Sequence, residues 1–144
     1  MNGESARYKE LKEDKMYIPE DWKGITSSKF NTHFGLHFDG TDTWANILQA
    51  YSDFGNDLYH KCLEDITPIL GRKRAKESAR YFKTFNSQIT MDVMFNWRSF
   101  VHFYNLRSDE GAQLEIREIA EQMINLIKNI EGNPFEHTIK AFNL

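Results

Sequence analysis

The stretch Asn96-Trp97-Arg98-Ser99-Phe100-Val101-His102-Phe103-Tyr104-Asn105-Leu106-Arg107 constrains this chain more than any other. It is dense in aromatic side chains, yet it carries two arginines, two asparagines and a histidine. In a helix, Arg98, His102 and Asn105 fall at i, i+4 and i+7 and share one face. Phe100, Phe103 and Arg107 fall on another by the same spacing. Burying unpaired guanidinium groups costs too much, so the polar stripe must face an anion, a ligand or another chain.

The 144 residues fit one domain, read as spanning 1–144. A chain of that length buries roughly two-thirds of its unfolded surface, enough for a core. A hydrophobic content of 40% and an aromatic content of 14% exclude disorder. The net charge of −3 gives no general reason to expect nucleic acid, so an anion site must be local. Cys62 is the single cysteine and reads as a buried structural thiol, which points to a reducing compartment. No stretch is apolar enough to span a membrane, and the start carries no signal peptide. A soluble, cytoplasmic protein is expected.

Residues 24–40 read as loop, with a short alternating apolar run at Phe34, Leu36 and Phe38. His33 and His37 are four apart, but Gly35 lies between them and no third ligand is evident. They read as ordinary loop histidines, and no metal is expected. Thr41 or Thr43 caps a helix carrying Trp44, Leu48, Tyr51, Leu58 and Cys62 at helical spacing, with Gly55 a weak point. Thr67-Pro68 is expected to end it near Ile66 and start a second helix. The run Arg72-Lys73-Arg74 reads as a solvated helix face. Residues 81–95 read as extended, with Phe85, Ser87, Ile89, Met91, Val93 and Phe95 on one face. Ser108 or Asp109 caps the longest helix, whose apolar stripe is Leu114, Ile116, Ile119, Ala120, Met123, Ile124, Ile127 and Ile130. Gly132 and Pro134 stop that helix, and Phe135, Ile139 and Phe142 suggest a final turn docked on the core. The expected class is α/β in the α+β sense, helices packed on a small sheet.

Three strings follow one another in order: Asn96-Trp97-Arg98-Ser99, Asn105-Leu106-Arg107 and Ala112-Gln113-Leu114-Glu115-Ile116-Arg117. Upstream stand Asn2, Ser5, Arg7 and Tyr8, then Tyr17-Ile18-Pro19. Together these resemble the signatures of the flavin-dependent thymidylate synthases, over most of the chain. The resemblance covers only the C-terminal part of such an enzyme. The Arg-His-Arg half of its first signature is absent, so a truncated or split form is expected.

The resemblance implies methylation of dUMP to dTMP. The carbon comes from methylenetetrahydrofolate, FAD is the cofactor, and NADPH is the reductant. It assigns Ser5, Arg7, Arg80 and Arg107 to the substrate, with Arg107 beside the uracil where charge develops. It assigns Asn96, Arg98 and His102 to the flavin. It also implies a homotetramer. His102 stands where the family usually has asparagine, Gly111 where histidine is frequent, and Gly3 where glutamate stands. The alternative is a non-catalytic nucleotide-binding or oligomerisation module in which the arginines hold dUMP-like anions.

Overall fold

The computed structural model describes residues 2–3, 14–33 and 36–144. It divides into two compact units, Met1–Asp92 and Val93–Leu144. The class is α+β, with helices dominating and the strands confined to short antiparallel pairs.

The first unit is built on α1, Trp44–Leu70, and α2, Arg72–Ala79. Before them, β1 (Asn2–Gly3) and then β2 (Phe30–Asn31) and β3 (His37–Phe38) enter the chain. β2 and β3 pair with Phe30 opposite Phe38, and the two rings stack 4.4 Å apart. His37 Nδ1 lies within hydrogen-bond distance of the Asn31 side-chain oxygen. Among the described residues no cluster of three His, Cys, Asp or Glu is placed to hold a metal. Thr43 supplies the cap of α1, accepting from the Asn46 N–H at 3.2 Å. Thr41 instead donates to Asp39.

α1 does not end at Pro68. It runs through the proline to Leu70. A proline this close to the C-terminus removes only one intrahelical donor, so the helix tolerates it. The break comes at Gly71, whose φ of 77° lies in the region that side chains disfavour. The buried stripe of α1 is also displaced by one residue from the aromatic one. Ala45, Ser52, Gly55, Asn56, Tyr59 and Leu63 face inward, whereas Tyr51 and Phe54 are exposed. Tyr59 and Leu63 form a core with Ala75 and Ala79 of α2, and Cys62 packs against it half-buried.

Small side chains win this face because another backbone lies on it. A 3-10 turn, Arg80–Phe82, follows α2 directly. A Cβ added at Gly55 would meet the Phe82 carbonyl oxygen at 2.7 Å. The chain after the turn is tied down by polar contacts. Asn86 donates from Nδ2 to the Tyr17 carbonyl at 2.9 Å, and Ser52 Oγ donates to the Leu48 carbonyl. Tyr17 N–H donates to the Asn86 carbonyl, and Gln88 N–H to the Lys15 carbonyl.

The expected strand over 81–95 is therefore not continuous. It begins as a 3-10 turn, bridges to Met16 at Ser87, and forms β4 only at Met91–Asp92, paired with β1. Alternation indicated extended chain correctly for part of this stretch. It does not supply a partner strand long enough for a ladder.

Lys83, next after the turn, is a buried cation in an ion pair, with its side chain only 8% exposed. Its ammonium donates to Asp14 Oδ1 at 2.5 Å and to Asn56 Oδ1 at 2.8 Å. It also lies 4.5 Å from the centre of the buried Tyr59 ring. His60 Nε2 reaches the other Asp14 oxygen at 3.0 Å.

The second unit holds α3, Trp97–Arg107, α4, Leu114–Lys128, and α5, Glu136–Ala141. Its interior is aromatic at one end and aliphatic at the other. Phe100 packs edge-on to Phe95 and Trp97, and Trp97 to Phe135. Ala120, Ile124 and Ile139 are buried. Neither Ser108 nor Asp109 caps α4, which starts at Leu114 after an uncapped Gln113; at 15 residues it is shorter than α1 at 27, and Ile119 and Ile130 of the expected stripe are exposed. Asp109 instead accepts the Gly111 N–H at 2.8 Å and folds the connecting turn on itself. No helix of the described residues is long and apolar enough to cross a membrane.

Gly55→Ala forces the turn carrying Phe82 away from α1, and the contact is with backbone. We expect a loss of about 1–3 kcal/mol despite alanine's better helix propensity. Gly24→Ala, with nothing within 4 Å of its added Cβ, is the control and should be neutral in thermal melting. A second expectation concerns acid. Burial opposes ionisation of Asp14, but hydrogen bonds from Lys83 and His60 outweigh it and hold the carboxyl below its usual range. A depressed folded value means the stabilisation is complete above the unfolded value, near pH ~4, and disappears as pH falls through the folded one. Melting temperatures followed into acid should drop, and Asp14→Asn should reduce that drop. It should not abolish it, because Asp39, hydrogen-bonded by Thr41, and Glu136, by Lys140, are depressed too.

Candidate functional site

The polar stripe read from the sequence exists. Asn96 is the N-cap of α3, and its side-chain oxygen accepts the Ser99 N–H at 2.8 Å. An asparagine here satisfies one of the donors left open at the helix start. The cap engages the carbonyl end of the amide and leaves the Nδ2 end as an outward donor. Arg98 follows in the first turn, His102 about one turn beyond it and Asn105 nearly one turn further, and all are exposed. The inward faces are taken by Phe100, Phe103 and Tyr104. Tyr104 donates its hydroxyl to Glu121 of α4 at 2.9 Å, which fixes the rotation of α3 on α4.

This rotation decides what the helix can do. Its aromatic side is spent on the unit's own core. Arg98 and His102 make no side-chain hydrogen bond or ion pair among the described residues. Arg107 is the last residue of α3 and is also exposed, without a side-chain partner among the described residues. The stripe thus offers a guanidinium near the helix start and an imidazole one turn on, while Arg107 offers a second guanidinium at the helix end on the opposite side. The start of α3 adds its open N–H groups, an arrangement suited to a phosphate or other anion.

Arg80 belongs to the first unit and opens the 3-10 turn, exposed, with no side-chain partner among the described residues. Its carbonyl accepts the Lys83 N–H at 3.1 Å. Ser5 and Arg7 lie outside the described residues. Gly3 is seen only as backbone, paired with Met91. Two recesses on the surface do not collect the predicted residues. One of about 400 Å³ lies between α1 and α2 at His60, Thr67 and Arg72. Another of about 450 Å³ runs along α4 at Arg117 and Glu118.

The i, i+4 spacing predicts a pair of Arg117 with Glu121 on the outer side of α4, and the structure differs. Its Nε is buried without a hydrogen-bond partner, while Glu121 serves Tyr104. Helical spacing identified a possible pair. It did not reveal that a tyrosine from α3 would claim the carboxylate. Sequence reasoning also missed Lys83, Asp14 and His60, because their meeting depends on residues 14, 60 and 83 converging across the fold.

The sequence profile of the family described as thymidylate synthase complementing protein matches residues 1–131. The chain is 30% identical over 128 residues to a flavin-dependent thymidylate synthase from Anaplasma marginale, covering 89% of this chain and 42% of that protein. It is 30% identical over 131 residues to one from Gluconobacter oxydans, with 89% and 42% covered. It is 32% identical over 131 residues to one from Ehrlichia ruminantium, strain Gardel, with 89% and 41% covered. The chain thus spans about two-fifths of the length of these relatives. No solved structure matches it significantly. A profile match running through both signature stretches, on a helix that turns its polar signature residues outward, has one consequence: the chain belongs to the thymidylate synthase complementing protein family.

Proposed function

We propose that this chain is the C-terminal portion of a flavin-dependent thymidylate synthase, which methylates dUMP to dTMP with methylenetetrahydrofolate, FAD and NADPH. The observation that carries the reading is the outward stripe of α3, where signature residues stand exposed and without partners of their own among the described residues. The family's relatives bear a name that implies a flavin.

The residues fit a flavin dinucleotide. Its pyrophosphate needs fixed cationic and N–H donors, and Asn96 Nδ2, Arg98 and the open start of α3 are such donors. His102 adds a donor or acceptor one turn further. When bound, the flavin supplies the hydride that reduces the transferred carbon. The chain's own residues have a different task. Arg7 and Arg80 bind the nucleotide phosphate, since a guanidinium keeps its charge and grips oxygen pairs. Arg107 neutralises negative charge that develops on the uracil ring during attack. Ser5 hydrogen-bonds the substrate. Cys62 takes no part, being half-buried against the core of the first unit.

We also propose that the sites form between subunits of a homotetramer in the cytoplasm. Several large apolar side chains support association, notably Tyr51, Phe54 and Phe85, each well over half exposed. Analytical ultracentrifugation at micromolar concentration should give a species larger than the monomer.

Asn96→Asp separates cap from ligand contact. The carboxylate still accepts from Ser99, so the melting temperature should hold within a degree or two, while the outward donor is lost. FAD affinity, followed by flavin fluorescence, should fall about tenfold. Equal FAD affinity in the two proteins would remove Asn96 from the flavin site. Melting with dUMP and with FAD tests the whole reading: both should stabilise the chain. Stabilisation by dUMP alone would favour a nucleotide-binding module instead.

A further inference from the structure

We infer that Lys83, held by Asp14, is a positioning residue for Arg80. This rests on the proposed role of Arg80 at the nucleotide phosphate, and it assigns to the Lys83 junction the task of setting where that guanidinium starts from.

Arg80 has no side-chain contact to fix it among the described residues, so its backbone sets its aim. That backbone belongs to a single 3-10 turn. Arg80 opens the turn, and the Lys83 N–H closes it on the Arg80 carbonyl at 3.1 Å. The middle of the turn rests on α1 at Gly55, where no side chain intervenes. The far end is fixed by the Lys83 ammonium, which reaches Asp14 and Asn56 and lies over Tyr59. Movement of Lys83 therefore rotates the turn about the Gly55 contact and displaces Arg80.

The chemistry of the junction suits a positioning task better than a stabilising one. A cation whose side chain is 8% exposed has lost most of its hydration, and a well-packed apolar side chain would stabilise as much. A methionine or leucine, however, would accept many placements. An ammonium with one carboxylate, one amide oxygen and one ring face accepts a single placement. Asp14 adds the second half of the device. It comes from the segment leading out of the first signature, with Met16 bridged to Ser87 just beyond. The ion pair therefore ties that segment, α1 and the Arg80 turn at one point.

The test is a double-mutant cycle read as dUMP affinity by isothermal titration calorimetry on the full chain. Lys83→Met should weaken dUMP binding about tenfold, a coupling within the range seen between interacting groups. Lys83→Arg should restore most of it. In an Arg80→Ala background, Lys83→Met should change nothing further. Asp14→Asn keeps the shape and removes the charge, so it tests the same point if Lys83→Met does not fold. A merely structural role would lower melting temperature equally in both backgrounds and leave affinity unaltered. If Arg80→Ala weakens binding but the Lys83 and Asp14 variants do not, or their effects simply add, the positioning role is wrong and the nucleotide reading stands. If Arg80→Ala leaves dUMP affinity unchanged, or the unaltered chain binds no dUMP, both fail.

Discussion

The first unit depends on one close approach. The 3-10 turn at Arg80–Phe82 lies on α1 at a distance that admits no Cβ at residue 55. Once the backbones touch there, other choices follow. Ser52, one turn before the contact, and Asn56, next to it, are small or polar. Their side chains then serve the arriving chain, Ser52 beside Asn86 and Asn56 at Lys83. Tyr51 and Phe54 lie on the flanks of this contact and remain exposed, whereas Tyr59 one turn on is buried in the core. The cost of opening Gly55 to a side chain is therefore shared by the whole polar junction, and through it by the placement of Arg80.

The second unit shows a different economy. Here aromatic packing is the rule, and a single polar contact sets the orientation. Phe95, Trp97, Phe100 and Phe135 could stack with α3 rotated by several angles, since ring contacts tolerate tilt. The Tyr104–Glu121 hydrogen bond removes most of that freedom. It holds Arg98, His102 and Asn105 outward as one row. The pKa of Tyr104 is raised by burial and then by Glu121, so the hydroxyl stays protonated and keeps donating.

The sequence made local and periodic features readable, and left convergent ones hidden. The face of α3 was legible because i, i+4, i+7 spacing fixes it without knowledge of any partner. The cap at Thr43, the stop after α4 and the buried Ile139 were legible for the same reason. The stripe of α1 was read one residue off, because hydrophobicity was taken as the sign of the core. The true contact there is backbone against backbone, which favours glycine and serine. Residues 81–95 alternate as a strand does, yet alternation says nothing about whether a partner strand exists. The Asp14–Lys83 junction joins positions 69 apart in sequence, with ordinary surface residue types, so no pattern could announce it.

Asn96 shows why a signature residue can be both legible and hard to interpret. Its position before an aromatic helix marks a cap, and a cap alone would accept serine, threonine or aspartate equally well. The exposed Arg98 and Arg107 guanidinium groups, on opposite sides of α3, make no side-chain hydrogen bond or ion pair among the described residues and have no such structural duty. Asn96 has one. Its oxygen holds the helix start in register, and its nitrogen stands beside the N–H groups that same start leaves open. Aspartate would cap without giving a second donor at neutral pH. Beside the open first turn of α3, that second donor supports the proposed seat for an acceptor-rich, anionic group.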